Sequence, residues 1–437
     1  MERIDALFWH RRDLRIEDNT GLFQALKDSQ SVLPVFVFDR NILDQLDKND
    51  RRVSYIHREV NQLKREYQEA GSDLMVLEGD PGQLIPELAA RFQVDAVFTN
   101  RDYEPQAKKR DSKVRDQLNK SGIAFRDYKD QVIFEFDEVK KQDGSPYTVF
   151  TPYSNKWLQQ LEETLIETYE LRAFSKNLYQ GEEEFPFPEL NSLGFQETKF
   201  SFPHKSLSRQ KLQQYDQTRD FPAKEGTSRL GLHLRFGTIS IRKLVRHAQQ
   251  WNQVFLKELI WRDFYQMILD CFPESVEHAF RSKYDLIRWE NNEEHFQKWC
   301  EGKTGYPLVD AGMRELNETG YMHNRVRMVV ASFLCKHLLI DWKWGERYFA
   351  AHLLDFELAS NVGGWQWAAG TGCDAAPYFR VFNPMAQQQK FDRDFQYIQK
   401  WIPEWGTPEY PEPIVVHEFA RKRALDRYKE ALDQVAT

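Results

Sequence analysis

Glu258 and Trp261 stand three residues apart in LKELIWRDFY, so on a helix a carboxylate and an indole share one face. Such a pair is a candidate constellation for chemistry. The plainer alternative is a solvated Glu beside a core Trp. Asn324, Arg327 and Met328 in MHNRVRMVV fall at i, i+3 and i+4. An amide, a cation and a thioether on one face read as the wall of a mixed pocket rather than as core. Asp355 lies among apolar residues in HLLDFELASN, where an unpaired carboxylate is costly and would seek a cation, and Arg327 is one candidate partner. In NVGGWQWAAGTGCDAAPYFRVFNP (361–384), Trp365 and Trp367 lie two apart, roughly 200° around a helix, so one segment can serve two neighbours.

The segment GTSRLG (226–231) offers small residues and hydroxyls beside a cation, which can cradle a phosphate. A helix N-cap at Thr227 or Ser228 is the competing reading. EGKTG (301–305) is set aside as a phosphate loop, because GxxxxGK[ST] needs a glycine where Gln297 stands. Hydrolytic and metal chemistry lose ground. No nucleophile triad can be read from spacing, none of the 11 His pairs with another at i, i+4, and the four Cys include no CxxC, which reads as reduced, mostly buried thiols. The composite is a site for a flat aromatic ligand bearing phosphates, with tryptophans on which the bases of a nucleic acid could stack.

The elements that must position these residues fall into two rhythms. Up to about residue 130, the apolar runs DALFWH, VLPVFVFD, DLMVLEGD, DAVFTN and IAFRDYKD alternate with amphipathic helical stretches. That is the βαβ pattern of a doubly wound parallel sheet, Rossmann-like but with no GxGxxG opening any helix. Residues 131–200 lose the rhythm: KQDGSPYTVFTPYSNKW reads as turns, and GEEEFPFPELNSLGFQ is acidic and Pro-rich, so this stretch reads as an interdomain connection. From 201 to 437 the pattern is helical almost throughout. The expected organisation is an α/β domain over 1–130, a connection over 131–200 and a larger all-α domain over 201–437.

Composition bounds the partners. The 437 residues carry 41% hydrophobic side chains, 14% aromatics including 12 Trp, and a net charge of −7. Indiscriminate nucleic-acid binding is disfavoured by that balance, yet residues 201–250 hold ten Lys/Arg against three acids. A solvated face is the ordinary meaning of such a run, and a polyanion site the sharper one. No apolar run reaches the ~20 residues that span a bilayer, so a cytoplasmic location and no membrane association are expected.

Four motifs together, FWHRRDLRIEDNTGL (8–22), RDFPAKEGTSRLGLHLRFGTIS (219–240), EGKTGYPLVDAGMRELNETGYMHNRVRMVVASFLCKHLLIDW (301–342) and GGWQWAAGTGCDAAPYFRVFNP (363–384), resemble the photolyase/cryptochrome family over the whole chain. Within it the likeness is to bacterial-type class I cyclobutane pyrimidine dimer photolyases. The resemblance implies an N-terminal antenna domain and a C-terminal helical domain holding U-shaped FAD. It implies light-driven repair, in which the excited reduced flavin passes an electron to a thymine dimer flipped out of DNA and recovers it after splitting. Extrusion is physically reasonable, since a stacked ring cannot approach the flavin and a damaged step opens more cheaply.

By the same resemblance Tyr215, Thr227, Ser228, Arg229 and Leu230 would contact the FAD phosphates and ribose. Asn324, Arg327 and Asp355 would line the flavin, and Asn361 would face its N5, as donor or acceptor. Glu258 would hydrogen-bond the dimer, Trp261 and Trp367 would wedge around it and Met328 would pack on it. Arg219, Arg325 and, more weakly, Arg380 would take DNA phosphates. Trp365 would begin an electron relay through Trp342 to Trp289.

The repair-type residues at Asn361, Trp261 and Met328 distinguish this chain from plant-type cryptochromes, and a cryptochrome-like blue-light photoreceptor is the runner-up. A flavoprotein that only transfers electrons would leave Glu258 and Trp261 idle. Gln106 and Ala107 stand where folate-binding members carry an Asn-Glu pair, which argues against a folate antenna and leaves a deazaflavin, another flavin or none open. Glu357 replaces the Asp usual two residues after the flavin-site aspartate. A monomer is expected.

Overall fold

In the computed structural model, residues 3–181, 183–198 and 200–434 are described. The chain divides into two compact units that are not consecutive in sequence. One comprises Met1–Glu138, Gln160–Ser206 and Arg229–His247; the other comprises Val139–Gln159, Leu207–Ser228 and Ala248–Thr437.

The first unit is built on five parallel strands, β1 (Ala6–His10), β2 (Val32–Asp39), β3 (Met75–Gly79), β4 (Ala96–Asn100) and β5 (Ala124–Tyr128), in the order β3-β2-β1-β4-β5. All five coincide with the apolar runs singled out above. β1 and β4 are buried at every position, as expected for strands covered on both faces. Pro34 sits inside β2 opposite Phe8 of β1, but β3 pairs with β2 only from Val35 onward, so the missing N–H falls before that ladder begins. The crossovers include α1 (Thr20–Asp28), α2 (Arg51–Glu69), α3 (Pro81–Phe92) and α4 (Pro105–Lys120), whose first three are N-capped by Asn19, Asp50 and Asp80. Gln106 and Ala107 lie in the first turn of α4, Gln106 exposed and Ala107 buried.

Buried charge organises this unit. Arg15 donates to both oxygens of Asp130 (2.9 and 2.7 Å), and Arg242 donates to Asp130 (2.8 Å) and to Asp18 (3.1 Å). All four residues are under a tenth exposed. Much of the basic run at 201–250 is spent this way: besides Arg242, Arg235 meets Glu104 at 2.8 Å and Lys205 meets Glu59 at 2.5 Å. Neither the solvated-face nor the polyanion reading anticipated internal pairing.

Two local expectations need correction. KQDGSPYTVFTPYSNKW does not remain in turns, because α5 (Phe150–Glu163) begins inside it. Phe150, Tyr153, Trp157 and Leu161 recur at helical spacing and are all buried, a signal that the flanking Gly, Ser and Pro obscured. Thr227 and Ser228 are not helix caps either: the short helix that follows spans Gly231–Arg235 and its cap position is Leu230.

The second unit is helical, as the sequence pattern implied. Its core gathers Trp299, Phe333, Trp342, Phe349 and Trp365, with α6 (Gln253–Cys271), α7 (Pro307–Thr319), α8 (Asn324–Ser332), α9 (Trp342–His352), α10 (Leu358–Ala369) and α11 (His417–Asp433) as main elements. Gly345 of α9 lets α10 approach, because a Cβ there would lie 2.1 Å from the Trp365 ring. All four cysteines are free, and three are buried. No helix among the described residues is long and apolar enough to cross a membrane.

The Asp130 bridge gives a direct stability test. Asp130→Asn keeps the shape but leaves buried Arg15 without its carboxylate and Arg242 with Asp18 alone, and should lower unfolding stability by about 3–5 kcal/mol. Urea titration checks this; a change within a few tenths would show that the bridge contributes nothing.

Candidate functional site

α6 supplies Glu258 and Trp261, α8 supplies Asn324, Arg327 and Met328, and α10 supplies Asn361, Trp365 and Trp367. Together with Arg219 and Asp355 they line a single cavity of about 410 Å³ in the second unit. The i, i+3 and i, i+4 groupings read from the sequence therefore all face the same space. The expectation that Trp365 and Trp367 serve different neighbours is met only in part. Trp365 is buried against Phe349 (4.9 Å, edge-on) and Trp299 (6.1 Å), while Trp367 is half-buried beside Phe382 (6.4 Å), yet both reach the cavity.

Arg327 donates to both oxygens of Asp355 at 3.1 and 3.0 Å, the candidate pairing read from sequence, and its Nε donates to the Met322 carbonyl at 2.7 Å. Two donors on one guanidinium fix its plane. Asn361 is held as firmly. Its Nδ2 donates to the backbone carbonyl of Glu346 (3.1 Å) and to the Glu346 carboxylate (2.9 Å). A carbonyl oxygen can only accept, so the amide cannot flip without opposing two acceptors. Both Asn361 amide hydrogens are thus engaged, and its Oδ1 is left as an acceptor. Burial raises the pKa of Glu346.

Glu258 is ion-paired with Arg219, and Arg219 also lies 3.9 Å from Asp220, which takes Arg325 at 2.6 Å. Burial pulls the pKa of Glu258 up, against the pull of Arg219. The Trp261 ring stacks on Phe150 of α5 at 3.6 Å and leans on Tyr265 at 5.4 Å, which holds one indole face and leaves the residue lining the cavity. Met328 Sδ lies 3.6 Å from Arg325.

Several other expected site residues lie outside the cavity lining. Tyr215 packs edge-on to Phe255 at 5.1 Å, and Thr227 shares a 3.1 Å hydrogen bond with Tyr321. Ser228 is half-buried at the end of its segment of the second unit. Arg229 is exposed with a left-handed backbone (φ 53°), and Leu230 is buried; both belong to the first unit. Arg380 is exposed, and its carbonyl accepts from buried Lys336 at 2.9 Å. Trp342 is in the same core as Trp365, and Trp289 packs against it. Among the described residues no direct ring pairing joins Trp365, Trp342 and Trp289; Trp289 instead meets Tyr428 edge-on at 6.1 Å.

Sequence reasoning missed Arg262 and Tyr265. Arg262 donates to Glu357, which the sequence marked only as a departure, at 2.9 Å; both line the cavity, as do Tyr265 and Gly364. Glu346, which orients Asn361, lies fifteen residues before it, with no periodicity to link them. Asp220 could have been noticed as the acid adjacent to Arg219. The GG pair divides its work: a Cβ on Gly363 would meet the Tyr265 ring at 2.3 Å, whereas one on Gly364 would meet nothing within 4 Å. The open space at Gly364, the unengaged Asn361 Oδ1 and the fixed Arg327 suit a flat heteroaromatic ring with polar edges, so the residues present fit a flavin.

Residues 255–408 match the family model for the FAD binding domain of DNA photolyase, and residues 6–170 the model for DNA photolyase. The chain is 38% identical to the deoxyribodipyrimidine photo-lyase of Synechococcus sp., over 98% of this chain and 97% of that protein. Two solved structures are similar over nearly their full length. A bacterial class III photolyase from Agrobacterium tumefaciens has a TM-score of 0.87 at 32% identity, covering 99% of this chain and 98% of that one. An archaeal photolyase from Sulfolobus tokodaii, described with two FAD molecules, has a TM-score of 0.83 at 36% identity, covering 98% and 100%. With both family models matched and relatives this similar over the whole length, the chain belongs to the photolyase/cryptochrome family.

Proposed function

We propose that this chain is a deoxyribodipyrimidine photo-lyase that repairs cyclobutane pyrimidine dimers in DNA under blue light. The observation that carries the reading is one cavity that gathers a carboxylate, two half-buried tryptophans, a fixed Arg-Asp pair and an oriented amide. Reduced FAD, bound and excited by light, supplies the electron that splits the dimer and receives it back.

The protein's part is binding, orientation and exclusion of water. Arg327, Asp355 and Asn324 would hold the ring system of a bound flavin, and Asn361 Oδ1 would be the acceptor offered to a donor on its edge. Tyr215, Thr227, Ser228, Arg229 and Leu230 take the phosphates and ribose. Trp261 and Trp367 clamp the extruded dimer with Met328 against it, and their aromatic faces replace the stacking lost in the duplex. Glu258, whose pKa burial raises, in its protonated form donates a hydrogen bond to a dimer carbonyl and stabilises the negative charge developing there. Arg219, Arg325 and Arg380 hold flanking phosphates. Trp365, Trp342 and Trp289 conduct electrons that reduce the cofactor. Residues 1–130 act as the antenna domain and 201–437 as the catalytic one. The protein works as a monomer in the cytoplasm, at the nucleoid when on DNA.

The function is tested by incubating reduced protein with an oligonucleotide carrying one thymine dimer. Thymine should be restored in blue light and not in darkness; equal results in both would defeat the proposal. Glu258→Ala should retain flavin but lose about three- to tenfold in repair per absorbed photon. Loss of flavin from that variant, read from its absorption spectrum, would instead make the residue structural. Trp365→Phe should slow light-driven reduction of the flavin while sparing repair by protein reduced beforehand, and unchanged photoreduction would remove Trp365 from the relay.

A further inference from the structure

Two of the arginines assigned to DNA phosphates already hold carboxylates. Arg219 is paired with Glu258, and Arg325 donates to Asp220 at 2.6 Å, while Asp220 also lies 3.9 Å from Arg219. Two cations and two anions thus form a neutral cluster, with Glu258 and Arg219 lining the cavity. Asp220 is its most exposed member, with 39% of the side chain accessible against 21% for Arg325. The arginines do not depend on it for their placement. Arg325 lies 4.5 Å above the Phe391 ring and 3.6 Å from Met328 Sδ, and its buried Nε has no acceptor among the described residues. Arg219 lies 5.4 Å above the Tyr215 ring.

We propose that Asp220 is an internal stand-in for a DNA phosphate: with no DNA bound it occupies Arg325 while Glu258 occupies Arg219, and incoming phosphates displace both carboxylates and free Glu258 for the lesion. The proposal rests on the reading that Arg219 and Arg325 meet phosphates. A carboxylate and a phosphate offer an arginine the same acceptor fork, so one can replace the other with little rearrangement. The exchange is cheap because partly exposed ion pairs are weak in water. Pairing also keeps two unneutralised guanidinium groups from attracting any passing polyanion, in a chain whose net charge is −7. Glu258 is held by a cation that DNA itself removes, so only once a phosphate has taken Arg219 is its carboxyl group free to take up a proton and donate to the dimer.

The test is equilibrium binding in darkness, by fluorescence anisotropy, of holoenzyme to a duplex with and without one thymine dimer, at several salt concentrations. Arg325→Ala examines the underlying reading: affinity for both duplexes should fall, and the dependence on salt should lose about one phosphate contact. Asp220→Asn, nearly isosteric and partly exposed, should keep its flavin and bind both duplexes about two- to fivefold more tightly. In an Arg325→Ala background the same Asp220→Asn change should tighten binding distinctly less, because only the longer contact to Arg219 at 3.9 Å is then relieved. If Arg325→Ala leaves affinity and salt dependence unchanged, the phosphate reading fails and the proposal falls with it. If Arg325→Ala weakens binding but Asp220→Asn does not tighten it, or tightens it equally without Arg325, the phosphate reading stands and the stand-in is overturned.

Discussion

A guanidinium drawn into the wall of a partly enclosed cavity loses part of its water and is best placed against an anion, and that constraint arranges most of this molecule's functional surface. Arg327 takes Asp355, Arg262 takes Glu357 and Arg219 takes Glu258, each tying a helix to a segment outside it. The pairs do more than neutralise. Contacts to Asp355 from one terminal nitrogen and to the Met322 carbonyl from Nε fix the plane of Arg327, and Glu346 fixes the amide of Asn361, so a bound ring would meet polar groups whose directions are already set. The first unit obeys the same rule with Arg15, Asp130, Arg242 and Asp18, where the outcome is rigidity rather than a site.

Aromatic packing meets these charges at α10. Trp365 is wedged into the core against Phe349 and Trp299, and the bare backbone of Gly345 permits that approach. Two residues along, Trp367 emerges half-buried beside Phe382, and Gly364 leaves open volume next to both. One short helix thereby presents a buried indole suited to electron transfer and a more exposed one suited to stacking.

Legibility in the sequence followed the range of the signal. The strands were readable because each is a compact apolar run, and Glu258 with Trp261, or Asn324 with Arg327 and Met328, because helical spacing puts them on one face. Pairing of Arg327 with Asp355 was readable from chemistry, since each needed an opposite charge. Arg262 with Glu357 and Glu346 with Asn361 were not, because residues ninety-five and fifteen positions apart share no period. The helix beginning at Phe150 was lost behind neighbouring turn formers, although Phe150, Tyr153 and Trp157 carried its period. The internal pairing within the basic run was hidden for a different reason: local charge says nothing of distant partners, and Arg242 and Arg235 find theirs about 110 and 130 residues away.

The central claim is that a single cavity brings an extruded dimer within electron-transfer reach of the flavin. The most direct measurement is the excited-state lifetime of the reduced flavin in the holoenzyme, with saturating duplex that carries one thymine dimer and with the same duplex undamaged. The account predicts a shortened lifetime with the damaged duplex and an unchanged one with the undamaged duplex. An identical lifetime with both, when binding of the damaged duplex is demonstrated in the same sample, would contradict it.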